Sequence, residues 1–177
     1  MEQLNLFSET VKKWGLIYGL IGVIIVFISA MLGLQEAQSI GTSILSSVLT
    51  IGIAFAIYFL ATKEYRTENN GLISFGKGYS ICIVVGLIAG LIRGVGFYVY
   101  LKFIDPSYVD RIIEAQIKAQ EQFGGSAPDP DQMPAFLKFM QTPEFFAFST
   151  FFAAILGALI LGLIVAAINQ KKEDYSY

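Results

Sequence analysis

Four long apolar runs dominate the pattern of hydrophobic and polar positions along the chain. They cover residues 14–34, 42–62, 79–101 and 145–168, so each holds 21 to 24 residues. At a rise of ~1.5 Å per residue, about 20 residues cross a hydrocarbon core of roughly 30 Å. Backbone polar groups in lipid must be satisfied within the segment, and the alternation typical of membrane strands is missing. The runs therefore predict four membrane-spanning helices.

Composition supports a membrane protein rather than a soluble domain. Of the 177 residues, 55% are hydrophobic and only 15% are charged, whereas soluble domains carry about 25% charged residues. The predicted fold is all-α, a four-helix integral membrane bundle that forms one domain over residues 1–177. The lipid bilayer is its expected surrounding partner.

The long connection at 102–144 predicts a helical hairpin between the third and fourth spans. Asp105-Pro106 has the pattern of an N-cap followed by a first-turn proline. Apolar residues then recur at helical spacing up to Ile117, and Gly124-Gly125 ends the pattern. A second short helix is expected after Pro134. The apolar stripe of the hairpin would rest on the bundle, on lipid or on a partner, with the bundle favoured.

The distribution of cations predicts the orientation in the membrane. Seven Lys and Arg residues lie in the two terminal segments and the 63–78 connection: Lys12, Lys13, Lys63, Arg66, Lys77, Lys171 and Lys172. Four lie in the 102–144 connection: Lys102, Arg111, Lys118 and Lys138. Because cations accumulate on the cytoplasmic side, both termini are predicted to be cytoplasmic and the hairpin extracytoplasmic.

Arg93 is the one charged residue within the four predicted spans. It lies slightly beyond the middle of the third span, so it is either snorkelling towards the interface or pointing inward. An inward arginine requires an acceptor, and the nearest acids are Glu36, Asp105 and Glu144. We expect Arg93 to form a charge network with one of these acids, and Glu36 or Glu144 is favoured because each lies on another helix. A structural role in locking helix ends is favoured over a role in ion handling.

Small residues at four-residue spacing mark one face of the third span. Gly86, Gly90 and Gly94 would allow a neighbouring helix to approach closely. Packing inside one bundle is the favoured interpretation, and a homo-oligomer contact is the alternative.

Several kinds of chemistry find no support in the sequence. The chain has no histidine and a single cysteine, which excludes histidine-based catalysis and histidine-ligated metal or haem sites. Gly71 to Lys77 matches G-x-x-x-x-G-K, but Gly78 replaces the required Ser or Thr and two spans flank the stretch. A net charge of −2 gives no reason to expect nucleic acid. We therefore expect no catalytic, cofactor-binding or metal site, no nucleotide and no nucleic acid.

Short motifs around the third span carry a family resemblance. They are Lys63-Glu-Tyr-Arg66, Asn70-Gly71-Leu-Ile-Ser-Phe75-Gly-Lys77-Gly-Tyr79 and Asp105-Pro-Ser-Tyr108. With them the chain resembles, over about residues 8–170, the bacterial four-span membrane family called domain of unknown function 4199. The resemblance implies a multi-pass protein of the bacterial inner membrane. It implies no substrate and no functional residue.

Two functional hypotheses follow from these observations. The first is a non-enzymatic membrane protein that acts through interactions of its bundle and its acidic outer hairpin, with a protein partner or a second copy. The second is a small transporter or channel subunit that uses Arg93. The absence of Asp and Glu from the spans counts against a proton-coupled carrier.

The orientation can be tested by thiol labelling. In a Cys82→Ala background, single cysteines are introduced as Ser126→Cys and Ser176→Cys. An impermeant thiol reagent added to intact spheroplasts should label only position 126, because the positive-inside distribution places the hairpin outside. Labelling of position 176 alone would invert the topology.

Overall fold

A computed structural model describes residues 2–33, 40–122 and 134–171 of the chain. Within these ranges the structure is helical, with no strand and one isolated bridge between Ile73 and Lys171. The helices are α1 (Glu2–Met31), α2 (Ile40–Glu68), α3 (Phe75–Val99), α4 (Tyr108–Gln122), α5 (Ala135–Met140) and α6 (Pro143–Asn169), with a π-helical turn (Tyr100–Ile104) that extends α3.

Four segments are long and apolar enough to cross a membrane. They are Gln3–Met31, Ile44–Glu68, Phe75–Ile104 and Pro143–Asn169. The predicted all-α fold with four spanning helices is thereby confirmed. The start of α1 and the end of α6 lie at one end of the bundle, which we call the terminal end. The opposite end carries α4 and α5, and we call it the hairpin end.

The first helix extends well beyond the apolar run that predicted it. It begins at Glu2 rather than near Trp14, because the residues before the run also pack. Thr10 and Val11 are buried, and Leu6 and Phe7 lie against the core. Lys13 forms an ion pair with Glu64 of α2, with 2.7 Å between Nζ and Oε2. The apolar run therefore indicated the span but not the start of the helix.

The third helix lies at the centre of the bundle and packs closely on α6. A Cβ added at Gly86 would overlap the Cβ of Ala158, and one at Gly90 would lie 3.0 Å from the Cβ of Ala154. At Gly94 the added atom would lie 3.2 Å from the carbonyl oxygen of Ala147. The small-residue face of α3 thus contacts α6 of the same chain.

Between α3 and α1, the glycines lie on α1 and the larger side chains lie on α3. A Cβ at Gly15 would lie 2.7 Å from the Cβ of Ile88, and one at Gly19 would lie 2.8 Å from the Cβ of Ile92. Helix α3 therefore presents a small face to α6 and larger side chains to α1. Close backbone approach on both sides makes α3 the element on which the others assemble.

The second helix packs along only half of its length. In its terminal half, Tyr58, Ala61, Thr62 and Tyr65 are at most 1% exposed. In its hairpin half, large apolar side chains are exposed by more than half: Ile44, Leu45, Val48, Leu49 and Ile51. A cleft between α1, α2 and α3 opens where α2 leaves the bundle.

An apolar cluster covers the hairpin end of the bundle. Ala30 of α1, Phe97 of α3 and Leu101 of the π-helical turn are buried against Val109 and Ile112 of α4. The apolar stripe of α4 thus rests on its own bundle. Helix α4 begins at Tyr108, two residues after the expected first-turn proline. Residues 123–133, including the expected stop at Gly124-Gly125, lie outside the described residues.

Candidate functional site

Arg93 lies in the cleft at the point where α2 separates from the bundle. The cleft is lined by Arg93 of α3, by Tyr18, Gly22 and Ile25 of α1, and by Thr50 and Ile53 of α2. Its free volume of about 20 Å³ is room for one or two water molecules. The Arg93 side chain is half-buried. The site therefore combines one cation and two hydroxyl groups with apolar walls, inside the membrane-spanning part of the chain.

Gly22 is the residue that makes room for Arg93. A Cβ at position 22 would overlap the Cδ of Arg93 and lie 2.6 Å from its Nε. Gly22 continues the row of α1 glycines that begins with Gly15 and Gly19. The first two glycines each face an isoleucine of α3, whereas Gly22 faces Arg93. The sequence pattern did not indicate that a glycine of α1 faces the intramembrane charge.

The guanidinium of Arg93 lacks a complete set of acceptors. Its Nε is buried and makes no hydrogen bond to any described residue. The Cζ atom lies 5.8 Å from the centre of the Tyr18 ring, a cation–π distance. No described carboxylate lies within ion-pair distance of Arg93. A partly desolvated charge with an unsatisfied donor favours binding of an acceptor, because leaving the donor unpaired costs about 1–3 kcal/mol or more.

The structure does not bring Asp105 or Glu144 to Arg93, in contrast to the predicted charge network. Asp105 pairs with Arg111, with 2.6 Å between Oδ2 and the nearer guanidinium nitrogen. Glu144 lies 3.7 Å from the Nζ of Lys102. Both acids thus have a cation nearby at the hairpin end. Glu36, the third predicted acid, lies outside the described residues.

The Asp105 pair organises the turn between α3 and α4. Asp105 accepts hydrogen bonds from Ser107 and Tyr100 in addition to both terminal nitrogens of Arg111. The Arg111 guanidinium beside it lowers the pKa of the Asp105 carboxyl from 3.8 to about 2. Because the folded-state pKa is depressed, this stabilisation is present at neutral pH and is lost as the pH falls from about 4 towards 2.

Polar side chains continue from the cleft towards the terminal end along one face of α2. Tyr58 contacts the Tyr18 ring edge-on, with 5.7 Å between centroids. Thr62 donates to the carbonyl of Tyr58 and accepts from the side chain of Asn169, at 2.8 and 2.7 Å. Thr62 and Asn169 are 0% and 2% exposed. The bundle beneath the cleft is therefore closed by a packed and hydrogen-bonded layer.

Asn169 is a structural residue that sequence reasoning missed. Its side-chain amide also donates to the carbonyl of Phe59, and its backbone carbonyl accepts from Arg66 at 3.2 Å. The signal was an amide at the end of an otherwise apolar span, next to the cationic 63–78 connection.

The nucleotide-loop-like stretch from Gly71 to Lys77 comprises part of the connection between α2 and α3 and the first residues of α3. Asn70 and Gly71 have φ of 54° and 77°, which turn the chain after α2. Ile73 exchanges two backbone hydrogen bonds with Lys171, at 3.0 and 2.9 Å. Ser74 then caps α3 by accepting from the N–H of Lys77. The motif residues at 66–77 thus join α2, α3 and the end of α6.

Four spanning helices, three of which pack around the glycine-rich α3, define a multi-pass α-helical membrane protein. Residues 13–171 match the family model described as "Protein of unknown function (DUF4199)". The chain belongs to this family, as its motifs indicated. No curated protein and no solved structure matches the chain.

Filling the space that Gly22 leaves for the Arg93 side chain should destabilise the bundle. We expect Gly22→Ala to destabilise the protein by about 1–3 kcal/mol, because the new methyl group overlaps the arginine side chain and overpacked sites cannot relax freely. Thermal unfolding of the purified protein in detergent measures the effect. Gly52→Ala is the matched control, since a Cβ there meets nothing within 4 Å. Equal stability of the two variants would contradict this view of the cleft.

Proposed function

We propose that this protein is a non-enzymatic membrane protein whose Arg93 cleft admits one oxygen of the anionic head of a membrane-soluble amphiphile, while the rest of the head stays at the opening. The observation that carries the proposal is the buried Nε of Arg93, which makes no hydrogen bond to the described residues in a cleft at the centre of three helices. A carboxylate or phosphate oxygen is the acceptor that a guanidinium binds most strongly.

The walls of the cleft favour an amphiphile over a hydrated ion. Gly22, Ile25 and Ile53 supply apolar surface beside the cation, and Thr50 and Tyr18 supply hydroxyl groups. The hairpin half of α2 exposes large apolar side chains next to the opening. An acyl chain could lie along that surface while its head reaches Arg93. Basic pockets between spanning helices bind anionic lipid headgroups in this way.

The proposal includes a place and an orientation. The family resemblance and the Lys and Arg distribution support a bacterial inner membrane protein with both termini in the cytoplasm. In that orientation the cleft opens towards the outer leaflet, since it lies on the hairpin side of the buried α2 residues. The ligand would therefore come from the outer leaflet.

Binding fits the described geometry better than transport does. The layer formed by Tyr58, Thr62 and Asn169 is buried and hydrogen-bonded beneath the cleft. A binding site needs one open side, whereas a transporter or channel needs a second state in which this layer opens.

A second candidate function is an interaction through the acidic face of α4. Asp110, Glu114 and Glu121 are exposed, whereas Val109 and Ile112 are buried against the bundle. The apolar side of α4 is therefore fixed to the bundle, and its acidic side chains are exposed on the other side. A cationic protein segment would be the complementary partner.

Lipid binding to arginine variants tests the primary proposal. Purified protein is titrated with phosphatidylglycerol or phosphatidylcholine, and bound lipid is counted by native mass spectrometry. We expect Arg93→Gln to weaken phosphatidylglycerol binding by about tenfold or more, because one charge-assisted hydrogen bond contributes ~1.5–3 kcal/mol. Arg93→Lys should retain part of the affinity, and phosphatidylcholine should bind weakly throughout.

The control is Lys102→Gln, which removes an exposed cation from the hairpin end of the same helical segment. It should bind phosphatidylglycerol like the wild type. Inorganic phosphate, added alone, separates recognition of an anion from recognition of an amphiphile. Unchanged binding by Arg93→Gln, or equal binding of both lipids by the wild type, would refute the proposal.

A further inference from the structure

Helix α5 exposes apolar side chains around most of its circumference. Phe136 is 67% exposed, Phe139 50%, Leu137 43% and Met140 36%. None of the residues of α5 is buried. Six residues make fewer than two turns, so the helix cannot be stable in isolation in water. Something apolar must therefore cover it.

The junction with α6 holds α5 in a defined position. The Thr142 hydroxyl donates to the carbonyl of Phe139 at 2.7 Å and accepts from the N–H of Phe145 at 3.3 Å. The Phe139 and Phe145 rings meet edge-on with 5.6 Å between centroids. Because α6 spans the membrane and begins at Pro143, α5 lies at the level where that span enters the bilayer.

The N-terminal end of α5 requires a polar environment. The first helical bond runs from the N–H of Leu137 to the carbonyl of Pro134, so the N–H groups of Ala135 and Phe136 precede the hydrogen-bonded turn. Pro134 provides no side-chain cap. Such backbone groups are costly in hydrocarbon. Lys138 is also exposed, and its long side chain can reach the phosphate level.

Apolar sides, a polar N-terminal end and an exposed lysine are together the properties of an interfacial helix. We propose that α5 lies in the headgroup–acyl boundary of the leaflet on the hairpin side, with lipid as the occupant of its apolar surface. The hairpin is then attached in two ways: α4 is held by Phe97 and Leu101 of the bundle, and α5 by the membrane. This inference does not depend on ligand binding at Arg93.

Depth-dependent fluorescence quenching tests the inference. The single tryptophan is removed by Trp14→Phe, and Phe136→Trp places the probe on α5 of the full chain in liposomes. Lipids brominated near the headgroup end of the acyl chain should quench this tryptophan at least twofold more than lipids brominated near the chain terminus. The matched control is Asp110→Trp on the exposed face of α4, where aqueous acrylamide should quench and brominated lipids should not.

Leu137→Trp provides a second probe if Phe136→Trp does not fold, and the same quenching pattern is expected. Efficient quenching of the α5 probe by acrylamide but not by brominated lipid would place the helix in water and overturn the inference. Protection from both quenchers would also overturn it, because protein, either a second copy or another chain, would then cover α5.

Discussion

The contact between α3 and α6 is the constraint on which the rest of this structure depends. Between helices in lipid there is little hydrophobic driving force, so association relies on close packing. Gly86, Gly90 and Gly94 allow the backbone of α3 to approach Ala158, Ala154 and Ala147 at distances that a side chain would forbid. This contact uses one face of α3 for α6 and leaves the other faces for α1 and α2.

The position of Arg93 follows from that arrangement. With its small face towards α6, α3 directs Ile88, Ile92 and Arg93 at the glycine row of α1. The arginine therefore lies between helices, at the point where α2 stops packing. The cost of a partly buried charge is reduced there by the Tyr18 ring. The remaining unsatisfied donor distinguishes the cleft from a simple packing defect, and it is the basis of the proposed binding site.

Local patterns predicted the elements of this fold, whereas contacts between distant residues determined the rest. The four spans and both hairpin helices could be recognised because hydropathy, helical periodicity and caps are encoded in neighbouring residues. The early start of α1 could not, since Thr10 and Val11 are buried only through tertiary contacts. Nor could the separation of α2 from the bundle, because its hairpin half is as apolar as its packed half.

The charge pairs show the same limit of sequence reasoning. Asp105 was a plausible partner for Arg93 by depth in the membrane, but Arg111 lies one turn into the adjacent helix and reaches it first. Glu144 has Lys102 beside it for a similar reason. Choosing among acids at one end of a bundle requires helix rotations, which composition and spacing do not determine.

Disulfide cross-linking across the α3–α6 contact tests the central claim most directly. In a Cys82→Ala background, the pair Gly90→Cys and Ala154→Cys brings two Cβ atoms together, whereas Leu91→Cys and Leu156→Cys are exposed controls. Mild oxidation should join the first pair within one chain, producing a shifted monomer band, and leave the control pair unlinked. Covalent dimers from the first pair, without the shifted monomer, would show that the glycine face joins two copies and would contradict the account.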